Sequence, residues 1–326
     1  MNLNILAQDP ERIEMLEKPY RDFKSFYAGK RSFLYQIAWM AKHQFRRYYF
    51  AAVPNWRIVL RSRSWRERAV PDFASLGAVR SGTSAISSYL LQHPCVVLPI
   101  AKEPPFALAK SRVLASFPRE KAMKRVRDRH GVAVTGYCAP IAPSMWWIPF
   151  AKAVNQNVKI LIVLRDPVER AFSHWRWDRM VTAGLRNDPL WSHFPAFDQI
   201  VDMDIKSFEA GAASFRAFSG TGGGYLTDGI YLPFIKALFA NFPSSQIKVV
   251  NATEFFNNPV DVARTLYEFL GLPAYVPAKV NETNAGPSYV LSDMTRARLV
   301  RFFTPHNQKL YEYLDRDFGW VGTEKK

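Results

Sequence analysis

From residue 71 onward, apolar residues gather into short runs separated by segments with helical spacing. Asp72 to Gly77 (DFASLG), Cys95 to Leu98, Val132 to Gly136, Val158 to Leu164 (VKILIVL) and Gln246 to Val250 (QIKVV) read as strands buried on both faces. Apolar positions three and four residues apart predict helices over Gly82 to His93, Pro167 to Val181, Tyr231 to Phe242 and Pro259 to Leu270, with a last pair around Ser292 to Leu314. Strands that alternate with helices predict an α/β fold, a central parallel sheet flanked by helices on both faces.

Before residue 71 the pattern is different. Leu34, Ile37, Ala38, Ala41, Phe45 and Tyr48 follow helical spacing, while Lys42, His43, Arg46 and Arg47 fall mostly on the other side. Phe23 to Arg68 holds eleven Lys/Arg and twelve aromatics against one acid, Glu67. The chain therefore divides into a basic, aromatic, largely helical extension, 1–70, and an α/β domain, 71–326. Three readings fit the extension: a packed helix with a solvated basic face, a helix docked on anionic lipid, or a holder of a polyanionic substrate or partner.

Composition narrows the class. A 48% hydrophobic content over 326 residues supports a substantial core, and the net charge is +16. Cys95 and Cys138 are too few for a disulfide framework, and no Cys/His spacing suits zinc, so no metal is expected. No run approaches the ~20 apolar residues of a membrane span. The start MNLNILAQDPERIE lacks a basic stretch followed by an apolar run. The expected location is the cytoplasm, with an anionic membrane surface as a candidate partner through residues 23–68 and no nucleic-acid partner.

Two segments carry chemistry. In SLGAVRSGTSAISSYL, Gly77, Gly82 and Ser84 match the phosphate loop G-x-x-x-x-G-K-[ST], but Thr83 stands at the lysine position. A strand, a tight turn and a helix N-terminus form an anion site, because backbone N–H groups and the helix dipole face the ligand. Arg80 adds a positive charge, and Thr83 and Ser84 add hydroxyls. A tight turn with Ser84 as a plain helix cap fits the same pattern. The missing lysine, which would hold β/γ-phosphates, weighs against an NTPase.

The second segment is KILIVLRDPVERAFSHWRW, Lys159 to Trp177. Asp166 imitates an Mg²⁺-holding acid, yet Asp166, Pro167 and Glu169 also spell a helix capping box. Arg165 ends the strand, where open parallel sheets bind ligands, and Ser173 follows in the helix. A buried structural arginine is the alternative for Arg165. Two anion sites on one sheet imply a ligand with phosphates at both ends.

Gly77 to Ile86 (GAVRSGTSAI), His93-Pro94, Lys102 to Phe106 (KEPPF), Leu164 to Trp175 (LRDPVERAFSHW) and Phe302 to Trp320 resemble, in this order, the motifs of sulfotransferases that use 3′-phosphoadenosine-5′-phosphosulfate. The likeness is nearest to the glycan branch typified by heparan sulfate sulfotransferases and spans about residues 71–320. It implies a P-loop-like fold and a donor with a 5′-phosphosulfate, held by Arg80, Ser81, Gly82, Thr83 and Ser84. It implies a 3′-phosphate held by Arg165 and Ser173. It further implies in-line sulfuryl transfer without a metal, with Glu103 as base and Arg80 stabilising the leaving oxygen.

Three positions depart from the family pattern. Arg80 stands where the loop lysine is usual. Glu103-Pro104-Pro105-Phe106 lacks the histidine of E-x-H-F, which leaves His174 as a second candidate base. Tyr137-Cys138-Ala139-Pro140 replaces the E-[KA]-[ST]-P segment that shapes the acceptor site in glycan enzymes. Aromatics between Val181 and Gly224, including Phe197, Phe215 and Phe218, are candidates for acceptor recognition or for a satellite core. The expected acceptor is a hydroxyl of a saccharide, a glycolipid or a small metabolite. A P-loop kinase or NTPase and a catalytically weakened binding protein for polyanions stand as alternatives.

Overall fold

The computed structural model describes residues 55–100, 103–104, 110–140, 147–183, 195–211, 224–278 and 289–320. The amphipathic pattern over Leu34 to Tyr48, the GTGGG run up to residue 223, Phe215 and Phe218 lie outside the described residues. In chain order the elements are α1 (Asn55–Ser62), β1 (Phe73–Gly77), α2 (Thr83–Leu90), α3 (Lys110–Leu114), α4 (Glu120–His130), β2 (Gly136–Ala139), α5 (Trp147–Val154), β3 (Lys159–Leu164), α6 (Pro167–Ala183), α7 (Phe197–Glu209), α8 (Leu232–Asn241), β4 (Ile247–Asn251), α9 (Ala252–Asn257), α10 (Pro259–Leu270) and α11 (Asp293–Leu314).

The chain forms two compact units. Of the described residues, one holds those within 55–166 and 231–278; the other holds those within 167–230 and 289–320.

The first unit contains the sheet, four parallel strands in the order β2-β1-β3-β4. Phe73 lies opposite Gly136 on one side and Lys159 on the other, and Ile160 lies opposite Ile247. On one face, Phe73, Leu161, Val163 and Val250 pack with Ile86 and Leu90 of α2, Phe255 of α9 and Leu266 and Tyr267 of α10. On the other face, Trp147 of α5 donates through Nε1 to the Tyr137 hydroxyl at 2.7 Å and rests on Phe242 just after α8. Helices thus cover both faces. Each fully buried Leu, Ile or Phe contributes roughly 1.5–3 kcal/mol, so the doubly covered sheet is the stable frame on which loops are displayed.

Two strands differ from the sequence expectation. Cys95 to Leu98 forms only a bridge, Val96 to Val134, because Pro94 and Pro99 bound it and supply no N–H groups. That bridge occupies the first half of the run expected at Val132 to Gly136. The strand proper begins at Gly136, where β1 becomes the partner. Asp72 fixes the changeover: its carboxylate accepts from the Thr135 N–H at 2.8 Å, and its own N–H donates to the Thr135 carbonyl at 2.7 Å.

In the second unit, α6, α7 and α11 enclose Phe172, Trp175, Phe197, Ile200, Leu226, Leu299 and Phe303. The expected final pair of helices is one helix of 22 residues with Pro305 inside it. A proline there removes a backbone donor and strains the preceding turn. Leu299, Phe303, Asn307 and Leu310, all buried, keep one face continuous across that point and offset the cost.

Candidate active site

The strand order places a topological switch between β1 and β3, since the chain leaves β1 toward β2 on one side and leaves β3 toward β4 on the other. Parallel sheets bind ligands in the crevice at the carboxyl ends of such a pair. Both sequence motifs begin there. The loop 78–82 follows Gly77, and Arg165 follows Leu164. The Arg165 guanidinium donates through Nη1 to the Arg80 carbonyl at 3.1 Å, and the Arg165 carbonyl accepts from the Tyr231 hydroxyl at 2.8 Å.

The loop is built for close approach. The Ser81 N–H donates to the Ala78 carbonyl at 3.0 Å, and the Gly82 carbonyl accepts from Ile86 N–H at 3.1 Å, which starts α2. Arg80 has φ 70° and Gly82 φ 103°. A left-handed arginine costs about 1–2 kcal/mol, a strain that a folded protein holds where geometry demands it. Such alternation turns successive N–H groups toward one concavity that suits an anion. Gly77 is required by space: a Cβ there would lie 2.9 Å from Thr83 Cγ2 and 3.0 Å from the Val163 carbonyl. Gly82 is required by its φ. Within the loop, the Ser81 side-chain oxygen is buried and has no hydrogen-bond partner among the described residues. A buried hydroxyl left in that state is costly unless a ligand completes it.

Arg80, Ser81, Gly82, Thr83, Ser84 and Arg165 are therefore brought together at the switch point. Glu103 lies exposed on a bend of the same unit, and Lys102, Pro105 and Phe106 lie outside the described residues. Ser173, half-buried, is on α6 and belongs to the other unit.

Several expectations change. Tyr137, Cys138 and Ala139 are buried in β2, and burial pushes the Tyr137 hydroxyl well above its ordinary pKa. These residues form the core of the sheet. His174 is fully buried, with Nε2 3.4 Å from Asp178 Oδ2 and its ring 4.7 Å from that of Tyr225. Arg170, one turn earlier and also fully buried, donates to the Tyr225 carbonyl. His174 belongs to a buried network of the helical unit. His93 is likewise structural: Nδ1 accepts from the Cys95 N–H at 3.1 Å, so Nε2 carries the proton and donates to the Pro273 carbonyl at 3.0 Å.

The sequence reading missed Phe256. It sits on α9, 38% exposed, with its ring 5.7 Å from the Arg165 guanidinium and its edge against Gly82. The available signal was a second phenylalanine on a six-residue helix whose buried side is already filled by Phe255.

In the helical unit, Phe197 lines a cavity of about 150 Å³ with Phe172, Trp175, Arg179 and Tyr289. The Arg179 guanidinium lies 5.1 Å from the Trp175 ring and 4.9 Å from the Tyr289 ring.

The family model for the sulfotransferase domain matches residues 71–285. The chain belongs to this family. Among curated relatives, mouse heparan sulfate glucosamine 3-O-sulfotransferase 3A1 is 24% identical over 285 residues, covering 78% of this chain and 65% of that protein. The membrane-associated sulfotransferase kil1 of Dictyostelium discoideum is 20% identical over 320 residues, covering 77% of this chain and 66% of that protein. This sulfotransferase-family chain thus spans about two thirds of the length of these relatives. The crystal structure of a sulfotransferase from Alicyclobacillus acidocaldarius shares the fold, with a TM-score of 0.54 at 24% identity, covering 77% of this chain and 99% of that one. Among the described residues, no helix is long and apolar enough to cross a membrane.

Proposed function

We propose that the chain transfers a sulfuryl group from 3′-phosphoadenosine-5′-phosphosulfate to a hydroxyl of a saccharide, glycolipid or other small metabolite. The observation that carries this reading is the switch-point crevice, where Arg165 and the strained loop at Arg80 meet at 3.1 Å. The donor fits the residues present. Its two anionic ends match the loop and Arg165, the orphaned Ser81 hydroxyl is a donor awaiting an acceptor, and Thr83 suits a ligand without a β/γ-phosphate pair. When bound, the donor supplies an activated sulfuryl group.

The chain's own residues then have distinct tasks. Ser81, Gly82, Thr83 and Ser84 hold the 5′ end by backbone and hydroxyl donors, and Arg80 stabilises charge on the leaving oxygen without giving up a proton. Arg165 pairs with the 3′-phosphate, and Ser173 keeps the role of second donor to that phosphate which the resemblance implies. The Glu103 carboxylate takes the proton of the acceptor hydroxyl. The names of the relatives, which act on heparan sulfate glucosamine, support a saccharide acceptor. Phe197 and Trp175 are buried in the core of their unit, which favours the satellite-core reading of Phe197.

A peripheral membrane partner is part of the proposal. On α1, Val59 and Leu60 are 41% and 50% exposed beside exposed Arg57 and Arg63, a pattern suited to an anionic lipid surface. Buried, unbridged Cys95 and Cys138 support a reducing, cytoplasmic setting.

Thermal stabilisation separates the readings. Adenosine 3′,5′-bisphosphate should raise the melting temperature, and ATP with Mg²⁺ should not. The reverse result would establish a kinase or NTPase instead.

A further inference from the structure

Phe256 is a large apolar side chain left 38% exposed beside the crevice, although its neighbour Phe255 is 1% exposed. Its position is fixed. Asn251 caps α9 by accepting from the Thr253 N–H at 3.0 Å, and Phe255 anchors the helix by edge contact with Tyr89 at 5.4 Å. The Phe256 ring meets the Phe255 ring at 5.8 Å and 63°. From that anchored helix the ring reaches two other chain segments at once. Its Cζ lies 3.1 Å from the point where a Gly82 Cβ would stand, and its centroid lies 5.7 Å from Arg165 Cζ.

An arginine at the end of a strand has four rotatable side-chain bonds and gains most from a ligand when its fork is already oriented. Here the fork is held from two directions. The Arg80 carbonyl accepts one N–H, and the Phe256 π-face attracts the cation. We propose that Phe256 is a positioning residue that fixes the Arg165 guanidinium against the loop after β1, and thereby gives the crevice its preference for a ligand with a second phosphate. The inference rests on reading the crevice as the donor site. Phe256 itself touches no reacting atom; it acts through Arg165.

The test is calorimetric titration of the full chain with adenosine 3′,5′-bisphosphate and with adenosine 5′-monophosphate, which shares the base and the 5′ end. The parent should favour the bisphosphate at least tenfold. Phe256→Leu keeps apolar contact with the loop and removes the π-face. It should weaken bisphosphate binding roughly two- to thirtyfold and change monophosphate binding less than twofold. In an Arg165→Ala background the same substitution should add nothing. Three results would overturn the proposal: equal losses for both nucleotides, which would place the ring on the base; no loss for either; or full additivity with Arg165→Ala. A parent that does not discriminate between the nucleotides would remove the donor reading and this inference together. A discriminating parent with an equally discriminating Leu variant would remove the Phe256 role alone.

Discussion

Arg165 donates to the carbonyl of Arg80 at 3.1 Å across a sequence separation of 85 residues. The bond joins the ends of two adjacent parallel strands and holds a left-handed arginine in place at the same time. One guanidinium therefore braces the loop and faces the crevice.

Arg165→Ala should weaken binding of adenosine 3′,5′-bisphosphate at least tenfold, since a charge-assisted hydrogen bond is worth roughly 1.5–3 kcal/mol. Ser173→Ala should weaken it less, because a neutral hydroxyl makes the weaker bond. Titration calorimetry with circular dichroism as a fold check measures both. Unchanged affinity in a folded Arg165→Ala protein would assign the arginine to structure alone.

Glu103→Gln should lower turnover about 10²- to 10⁴-fold while leaving bisphosphate affinity unchanged, because a base acts on the acceptor and not on the donor. The glutamine keeps size and polarity and removes the ability to take a proton. Turnover by the parent should persist in EDTA. Strict dependence on a divalent cation would restore the NTPase alternative.

The helical unit should carry a pH signature of its own. Burial pushes the Asp204 carboxyl up to about 7, and Asp228 adds to the rise, against the opposing Leu226 N–H and Arg170. His174, Asp178 and Tyr225 complete the buried network of this unit. An unfolded aspartate titrates near 3.9, so between about pH 4 and pH 7 the folded chain keeps a proton that the unfolded chain releases. Stability falls as pH rises through that window and is unaffected by this group below it. Asp204→Asn, which still accepts from the Leu226 N–H, should remove a decline of a few kcal/mol. Denaturant melts of parent and variant at pH 5 and pH 8 measure it. Parallel profiles would show that Asp204 is ionised in the folded state throughout.

The exposed basic and apolar residues of α1 and of the turn after it should direct vesicle binding. Parent protein should sediment with anionic vesicles and much less with neutral ones, and salt should reverse the binding as charges are screened. Replacing Arg57, Arg63 and Arg66 with glutamine, together with Val59 and Leu60 with serine, should release it. Retained sedimentation by this variant would place lipid binding elsewhere or remove it.

The sequence by itself determined the frame. VKILIVL and DFASLG read as strands covered on both faces, because their short, nearly continuous runs of apolar or small residues bounded by turn signals leave little polar face for water. The glycine spacing after β1 likewise fixed where a backbone concavity would form, since only a residue without a side chain suits Gly77 and Gly82. Residues whose local pattern was right but whose partner was distant were decided by tertiary structure. Val132 to Thr135 looked like a strand of the sheet and serves a bridge with Val96, and Pro305 looked like a break and lies within one helix whose buried face spans it. Tyr137 stands where the family pattern has an acid and His174 beside Ser173 was a second candidate base; both are buried, because burial depends on what packs from other segments. Phe256 is the converse. The local pattern marks it only as a second phenylalanine on a short helix, and its position beside Gly82 and Arg165 exists only once β1, β3 and β4 lie in register, when strands far apart in the chain bring their carboxyl ends to one edge.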